Sequence, residues 1–244
     1  DFKPDATWTL EPVSEAKPCD DPVNTNCDID AICRNNDDGT HTCVCNDGFF
    51  GDGELCSKDD VQPLLGKPVK FESYNNPTHF IERKEDDAVL SESNPEPEET
   101  IFIQVPALNG KDGGVSYQSK DDPTVYLSRV GDDVKPVKLT DSPTTDESDD
   151  ATWVVKPGLA DKDGISLMKP SEPTFFARHD SKTTIKNEAP EDGEDNFNPD
   201  ATWNMHPVEL YCEDETKNEC DIDAKCEEKY DGTYSCTCND GFFG

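Results

Sequence analysis

The eleven cysteines fall in two clusters, and they supply the clearest chemistry in the chain. Cys19, Cys27, Cys33, Cys43, Cys45 and Cys56 form the first, and Cys212, Cys220, Cys226, Cys236 and Cys238 repeat its first five spacings. In an acidic, loop-rich chain such clusters point to disulfides and an oxidising, extracellular setting, secreted or at a cell surface. Six cysteines admit many pairings, so spacing alone leaves the connectivity open. Cys238 stands without a partner, because the sixth position of its cluster would fall beyond Gly244; a reactive thiol there is the sharper alternative. Zinc is disfavoured, since the close pairs Cys43-Val44-Cys45 and Cys236-Thr237-Cys238 lack the spacing of a zinc knuckle. Asp28 and Asp30, repeated as Asp221 and Asp223, place two carboxylates on one side of an extended segment. Calcium is the cation such a pair would take, and solvated loop acids are the plainer reading. No motif demands a cofactor.

These residues are carried by a sequence that repeats. Phe2-Lys3-Pro4-Asp5-Ala6-Thr7-Trp8 returns as Phe197-Asn198-Pro199-Asp200-Ala201-Thr202-Trp203, and Cys45 to Gly51 is identical to Cys238 to Gly244. Repetition of a unit this large implies a tandem array extended in space. Between Cys56 and Cys212 no cysteine occurs, and short alternating segments rich in Val, Ile, Phe, Tyr and Thr alternate with Gly, Pro, Asn and Asp. That is the pattern of an all-β region. It repeats three times, through Val69 to Pro77, Val115 to Pro123 and Ile165 to Pro173, with Phe102, Trp153 and Trp203 recurring at matching positions. Three hairpin-rich units suit a β-trefoil, whose closed barrel leaves no sheet edge. Three equivalent aromatics would form one layer of its core, in preference to a sugar-stacking platform.

The cysteine pattern C-x7-C-x5-C-x9-C-x-C-x10-C, with Asp38-Gly39-Thr40 before the fourth cysteine and Gly48-Phe49-Phe50-Gly51-Asp52-Gly53 before the sixth, resembles an EGF-like domain. The resemblance implies the pairs Cys19–Cys33, Cys27–Cys43 and Cys45–Cys56, then Cys212–Cys226 and Cys220–Cys236. Calcium-binding members of that family carry acidic residues just before the first cysteine. Here Glu15-Ala16-Lys17-Pro18 and His206 to Tyr211 mostly lack them. A module this small cannot be held by burial, so disulfides worth about 2 to 5 kcal/mol each would hold it.

Residues 62 to 208 resemble the arabinose-binding β-trefoil found beside fungal arabinofuranosidase B. The resemblance is carried by Ser73-Tyr74-Asn75-Asn76-Pro77, by Arg178-His179, by Asp150-Ala151-Thr152 and Asp200-Ala201-Thr202, and by Pro157-Gly158-Leu159. It implies sugar pockets that use the histidine and an acid near the Asp-Ala-Thr motif. The third unit keeps both, as His179 and Asp200, which would grip vicinal hydroxyls. The first unit offers Arg83 and Glu99 instead, the second Arg129 and Asp150. The expected organisation is the last strands of a preceding trefoil at 1–13, an EGF-like domain at 14–57, a trefoil at 58–208 (units 64–110, 111–160 and 161–208), and a truncated EGF-like domain at 209–244. Residues Ser57 to Pro63 read as a short linker, and acidic runs such as Asp146 to Asp150 as solvated loops.

A net charge of −33, from 55 acidic against 22 basic residues, excludes nucleic acid as a partner. No apolar stretch approaches the span of a bilayer, so no membrane insertion is expected. No nucleophile elbow, metalloprotease helix or phosphate loop is present, and in the resembled family catalysis belongs to a separate domain, so the chain reads as non-catalytic. No Asn-x-Ser/Thr acceptor occurs, while Ser142-Pro143-Thr144-Thr145 offers hydroxyls for O-glycans. The first reading is therefore a repeating structural unit of an extracellular fibre, appendage or matrix, with neighbouring repeats or copies of itself as partners. The alternative is a secreted carbohydrate-binding adhesin or lectin for arabinose-like glycans.

Overall fold

The computed structural model describes residues 18–20, 25–92, 97–180, 184–191, 195–208, 212, 219–228, 234–239 and 241. The strands expected over residues 1–13 lie outside this set. Alternation of apolar and polar residues drives twelve strands into one continuous sheet, arranged as three units of four. The first unit holds Pro68–Ser73, His79–Lys84, Asp87–Glu92 and Phe102–Pro106. The second holds Val115–Ser119, Val125–Val130, Asp133–Lys138 and Thr152–Pro157. The third holds Ile165–Lys169, Glu172–His179, Ile185–Glu188 and Trp203–Pro207.

The fourth strand of each unit pairs antiparallel with the first strand of the next, and Trp203–Pro207 closes the ring on Pro68–Ser73. The middle two strands of each unit form a hairpin that stands on the barrel. The fold is an all-β trefoil with disulfide-rich EGF-like modules. Phe102, Trp153 and Trp203 are at most 1% exposed, so the aromatic layer is core and offers no platform to a sugar. Its threefold relation extends to hydrogen bonding. Trp153 Nε1 donates to Leu127 O and Trp203 Nε1 to Ala177 O, each at 3.0 Å, which gives both buried indoles an acceptor.

Two segments differ from their sequence reading. The expected linker is a strand, Cys56–Lys58, followed by a 3-10 turn, Asp59–Leu64, and Ser57 and Val61 are buried. Ser57 tolerates burial because its hydroxyl donates to Gly113 O (2.5 Å) and accepts from Val155 N–H (2.9 Å). The acidic run after Thr144 is a short helix, Thr145–Asp150, opened by a capping box in which Thr144 and Glu147 satisfy each other's backbone N–H groups. The Thr144 hydroxyl is engaged in that box.

The first EGF-like module is seated on the trefoil. Its sulfurs join as Cys19–Cys33, Cys27–Cys43 and Cys45–Cys56, and Leu55 packs with Val154, Met168 and Phe176. The seam is close enough to need glycine. A Cβ on Gly51 would lie 1.9 Å from Leu55 O and 2.9 Å from Gly113 Cα. In the second cluster Cys212 joins Cys226, Cys220 joins Cys236, and Cys238 is a free thiol.

Candidate functional site

Each unit of the trefoil carries a basic residue at or next to the end of its first hairpin strand, and each of these reaches the following unit around the ring. Arg83 pairs with Asp121, Arg129 Nη1 lies 3.0 Å from Glu172 Oε1, and His179 Nε2 lies 2.8 Å from Asn75 Oδ1. The first two junctions are ionic and partly exposed. At the second, the Lys169 ammonium is buried in addition, donating to Asp149 O, Asp150 O and Thr152 O at 2.6–2.9 Å and lying 4.3 Å from the centre of the Trp153 ring. It thereby satisfies carbonyls at the C-terminal end of helix Thr145–Asp150. Burial pulls its ionisation down to about 7, against an upward pull from Asp150.

The third junction has a different chemistry. His179 ends the strand Glu172–His179, Asp200 ends the helical turn Phe197–Asp200, and Asn75 enters from the loop after Pro68–Ser73. Asn75 Nδ2 donates to Asp200 Oδ1 at 2.6 Å, which turns its Oδ1 toward His179 Nε2 and makes that nitrogen the donor. Ser73 Oγ lies 3.0 Å from both Asn75 Oδ1 and His179 Nε2. His179 and Asp200 side chains are only 2% and 6% exposed and stand 3.5 Å apart. Burial pushes the imidazole below its usual range, with Asp200 pulling it upward.

The structure thus brings His179 and Asp200 together, but it spends them on Asn75. The grip on sugar hydroxyls expected of the pair is redirected inward, because a buried carboxylate must find internal donors. Their neighbour Arg178 is itself only 9% exposed, and it forms part of a groove wall. Its guanidinium has Nη2 3.7 Å from Asp200 Oδ2 and Nη1 3.7 Å from Glu188 Oε2, and it lies 5.2 Å from the centre of the Phe197 ring. Beside it opens a groove of about 510 Å³ lined by Asp132, Phe175, Arg178, Glu188, Pro190 and Glu191, among others. Half-buried Phe175 gives this groove an aromatic wall. The corresponding positions of Phe175, Arg178 and Glu188 are His79, Glu82 and Ser91 in the first unit and Val125, Ser128 and Val137 in the second. The aromatic–guanidinium–carboxylate set belongs to the third unit.

Arg178 was visible in sequence only as half of the Arg-His string. Asn75 and Ser73 were not legible as partners of His179, because they come from a loop at the far end of the trefoil sequence. Asp150 does not reproduce the Asp200 arrangement: its carboxyl is raised by burial, and its main-chain carbonyl meets Lys169.

The calcium reading of Asp28 and Asp30 is displaced by an ammonium. Lys156 Nζ sits 2.5 Å from Asp28 Oδ1, 2.8 Å from Asp30 Oδ2 and 2.9 Å from Cys56 O, while Asp28 Oδ2 accepts the Cys56 N–H. The position a cation would take is filled by a side chain of the same charge sign. Asp221 and Asp223 form the same turn with no such lysine among the described residues. The one cluster of metal-capable groups among the described residues, Cys27, His41 and Cys43, has its two sulfurs joined to each other.

Comparison with known proteins bears on both modules. An alpha-L-arabinofuranosidase B (ABFB) domain profile matches residues 115–212, and an EGF domain profile matches residues 21–56. Mouse Stabilin-2 is 55% identical over 40 residues, which is 16% of this chain and 1% of that protein. A GH54 α-L-arabinofuranosidase soaked with a cyclic sulfate inhibitor superposes with a TM-score of 0.51 at 20% identity, over 58% of this chain and 31% of that one. An arabinofuranosidase complexed with arabinofuranosyl-α-1,2-xylobiose gives 0.51 and 20% over 57% and 30%. The chain therefore spans under a third of those enzymes and a small fraction of Stabilin-2. At this identity the superpositions establish a shared trefoil fold.

Proposed function

We propose that this chain is an extracellular, non-catalytic carbohydrate-binding protein whose third trefoil unit takes a terminal pentofuranose of the arabinose class. The observation that carries this reading is the groove beside Arg178. Phe175 offers a face for the apolar side of a sugar ring, and Arg178 and Glu188 offer a directional donor and acceptor for hydroxyls. Asp200, fixed by Asn75, stands 3.7 Å from the Arg178 guanidinium and anchors it. The match of residues 115–212 to the arabinofuranosidase B domain, and the arabinofuranosyl compound complexed with an arabinofuranosidase that contains a similar trefoil, suggest the sugar class. The EGF-like module and its similarity to Stabilin-2 support the extracellular setting.

A glycan panel of arabinofuranosides, other pentoses and hexoses tests this. Binding to arabinofuranosides that falls at least about tenfold in Phe175→Ala and in Arg178→Ala supports it, a loss of the size expected for one stacking or hydrogen-bonding contact. Silence across the whole panel, with the protein folded, overturns it.

A second reading concerns organisation. The return of residues 2–8 and 45–51 near the other end of the chain favours a tandem array alternating trefoil and EGF-like modules. The fibre or matrix role first expected is thereby recast as a scaffold that multiplies weak sugar sites into avidity.

A further inference from the structure

The turn that seats the first EGF-like module on the trefoil is present again in the second module. In the first, Asp30 N–H donates to Asp28 Oδ1 (2.9 Å), Ala31 N–H to Asp28 O (3.0 Å) and Asn46 N–H to Asp30 O (2.8 Å). In the second, Asp223 N–H donates to Asp221 Oδ1 (2.9 Å), Ala224 N–H to Asp221 O (2.9 Å) and Asn239 N–H to Asp223 O (2.8 Å). The geometry is thus set within the module and is the same with or without a trefoil against it. The surroundings differ. Asp28 is 4% exposed at its side chain and shares the Lys156 ammonium with Asp30, whereas Asp221 is exposed.

What the turn recognises is read from the first copy. Lys156 rises from the strand Thr152–Pro157 with its side chain 7% exposed, and its three N–H bonds are matched by two carboxylates and the Cys56 carbonyl. A lysine in that place is costly without those carboxylates, and the carboxylates repel each other without it. Ile29 and Ile222, between the paired acids, are 90% and 94% exposed, so seating does not cover the isoleucine, and this turn engages the trefoil through its carboxylates while Leu55 packs beside it.

We propose that the Asp221–Asp223 turn is a docking surface for a β-trefoil that presents a lysine as Lys156 does, namely the trefoil of an adjoining repeat. This rests on the array reading above. Capture of Lys156 from a second copy of the chain is disfavoured, because each Lys156 already has Asp28 and Asp30 beside it at high effective concentration. In an array the two turns make each EGF-like module a fixed spacer whose angle to the following trefoil repeats along the chain.

The test extends the full chain by appending residues 52–208 after Gly244, a join that is continuous because Cys45 to Gly51 and Cys238 to Gly244 are identical. The appended copy carries Asp141→Glu at an exposed position as a mass tag, and lysine acetylation is followed by mass spectrometry of peptides cleaved at arginine, which keep residues 141 and 156 together, with exposed Lys138 as the internal standard. Lys156 and its counterpart in the appended trefoil should both react about tenfold more slowly than Lys138. Asp221→Asn with Asp223→Asn should release the counterpart alone, and Asp28→Asn with Asp30→Asn should release Lys156 alone. A counterpart that reacts like Lys138 while Lys156 stays protected overturns the docking surface and leaves the array intact as flexibly joined beads. A peptide map of the native polypeptide that shows a single trefoil removes the array, and with it the occupant, whatever the extended chain does.

Discussion

At the junction between the second and third trefoil units, Arg129 meets Glu172 and the Lys169 ammonium is buried against three carbonyls. At the junction between the third and first units, the position of Arg129 is held by His179, that of Lys169 by Ser73, and the buried acid Asp200 is answered by the neutral amide of Asn75. The same strand positions close both junctions. One is closed by the Arg129–Glu172 pair with a buried ammonium, and the other by a hydrogen-bonded His179–Asn75–Asp200 network with the Arg178 guanidinium 3.7 Å from Asp200. The first closure engages its charged groups within the junction, whereas the second leaves Arg178, though only 9% exposed, on the wall of a groove that Glu188 and Phe175 also line. The difference explains why a threefold fold supports one candidate sugar site.

The comparison is broken most forcefully at Lys169. Lys169→Met leaves three inward-facing carbonyls without a donor, and urea denaturation should show a loss of about 3 kcal/mol or more. A loss below about 0.5 kcal/mol would mean that the ammonium contributes nothing to this junction. At the other junction, Asp200→Ala strands the Asn75 amide and removes an anchor of Arg178. The expected loss is about 2 kcal/mol, accompanied by weaker sugar binding.

Titration separates the two junctions by pH window, with the same sign in each. His179 has its ionisation lowered by burial, so the unfolded chain takes up the proton first as pH falls. Stability should therefore decline below about pH 6.5, and His179→Asn should flatten that decline. Lys169 is also lowered, to about 7, so between pH 7 and the ordinary lysine value of 10.5 the unfolded chain binds the extra proton. Over that window its contribution makes stability rise with pH, and Lys169→Met should abolish the rise. The smallest effect belongs to the first junction. Arg83 and Asp121 are each about one-fifth exposed, and Arg83→Gln should cost about 1 kcal/mol or less in the same denaturation assay.

The trefoil was legible because its signal is periodic. Alternation in Val115-Ser116-Tyr117-Gln118 and the recurrence of Phe102, Trp153 and Trp203 are local facts that report burial directly. The cysteine spacing likewise carried the EGF-like module. Ser57 to Pro63 was misread because Ser57 is polar and short, and only its three-dimensional partners Gly113 and Val155 make its burial tolerable. The Asp28–Asp30 pair was misread for a related reason: Lys156 lies far along the chain, and nothing local marks it as their counter-ion. In the candidate site, His179 and Asp200 were named from a motif, but the direction they face was not in the motif. Burial and Asn75 decide that, and Arg178 and Phe175 become the groups to which the proposed sugar contact is assigned.

The central claim is that the third unit alone presents a sugar site, and chemical-shift mapping of the intact chain with methyl α-L-arabinofuranoside tests it most directly. Saturable shifts should appear at Phe175, Arg178, Glu188 and Glu191, with none at Val125, Ser128 and Val137 or at His79, Glu82 and Ser91. Equal shifts at all three sets of positions, or shifts confined to the first or second unit, would contradict it.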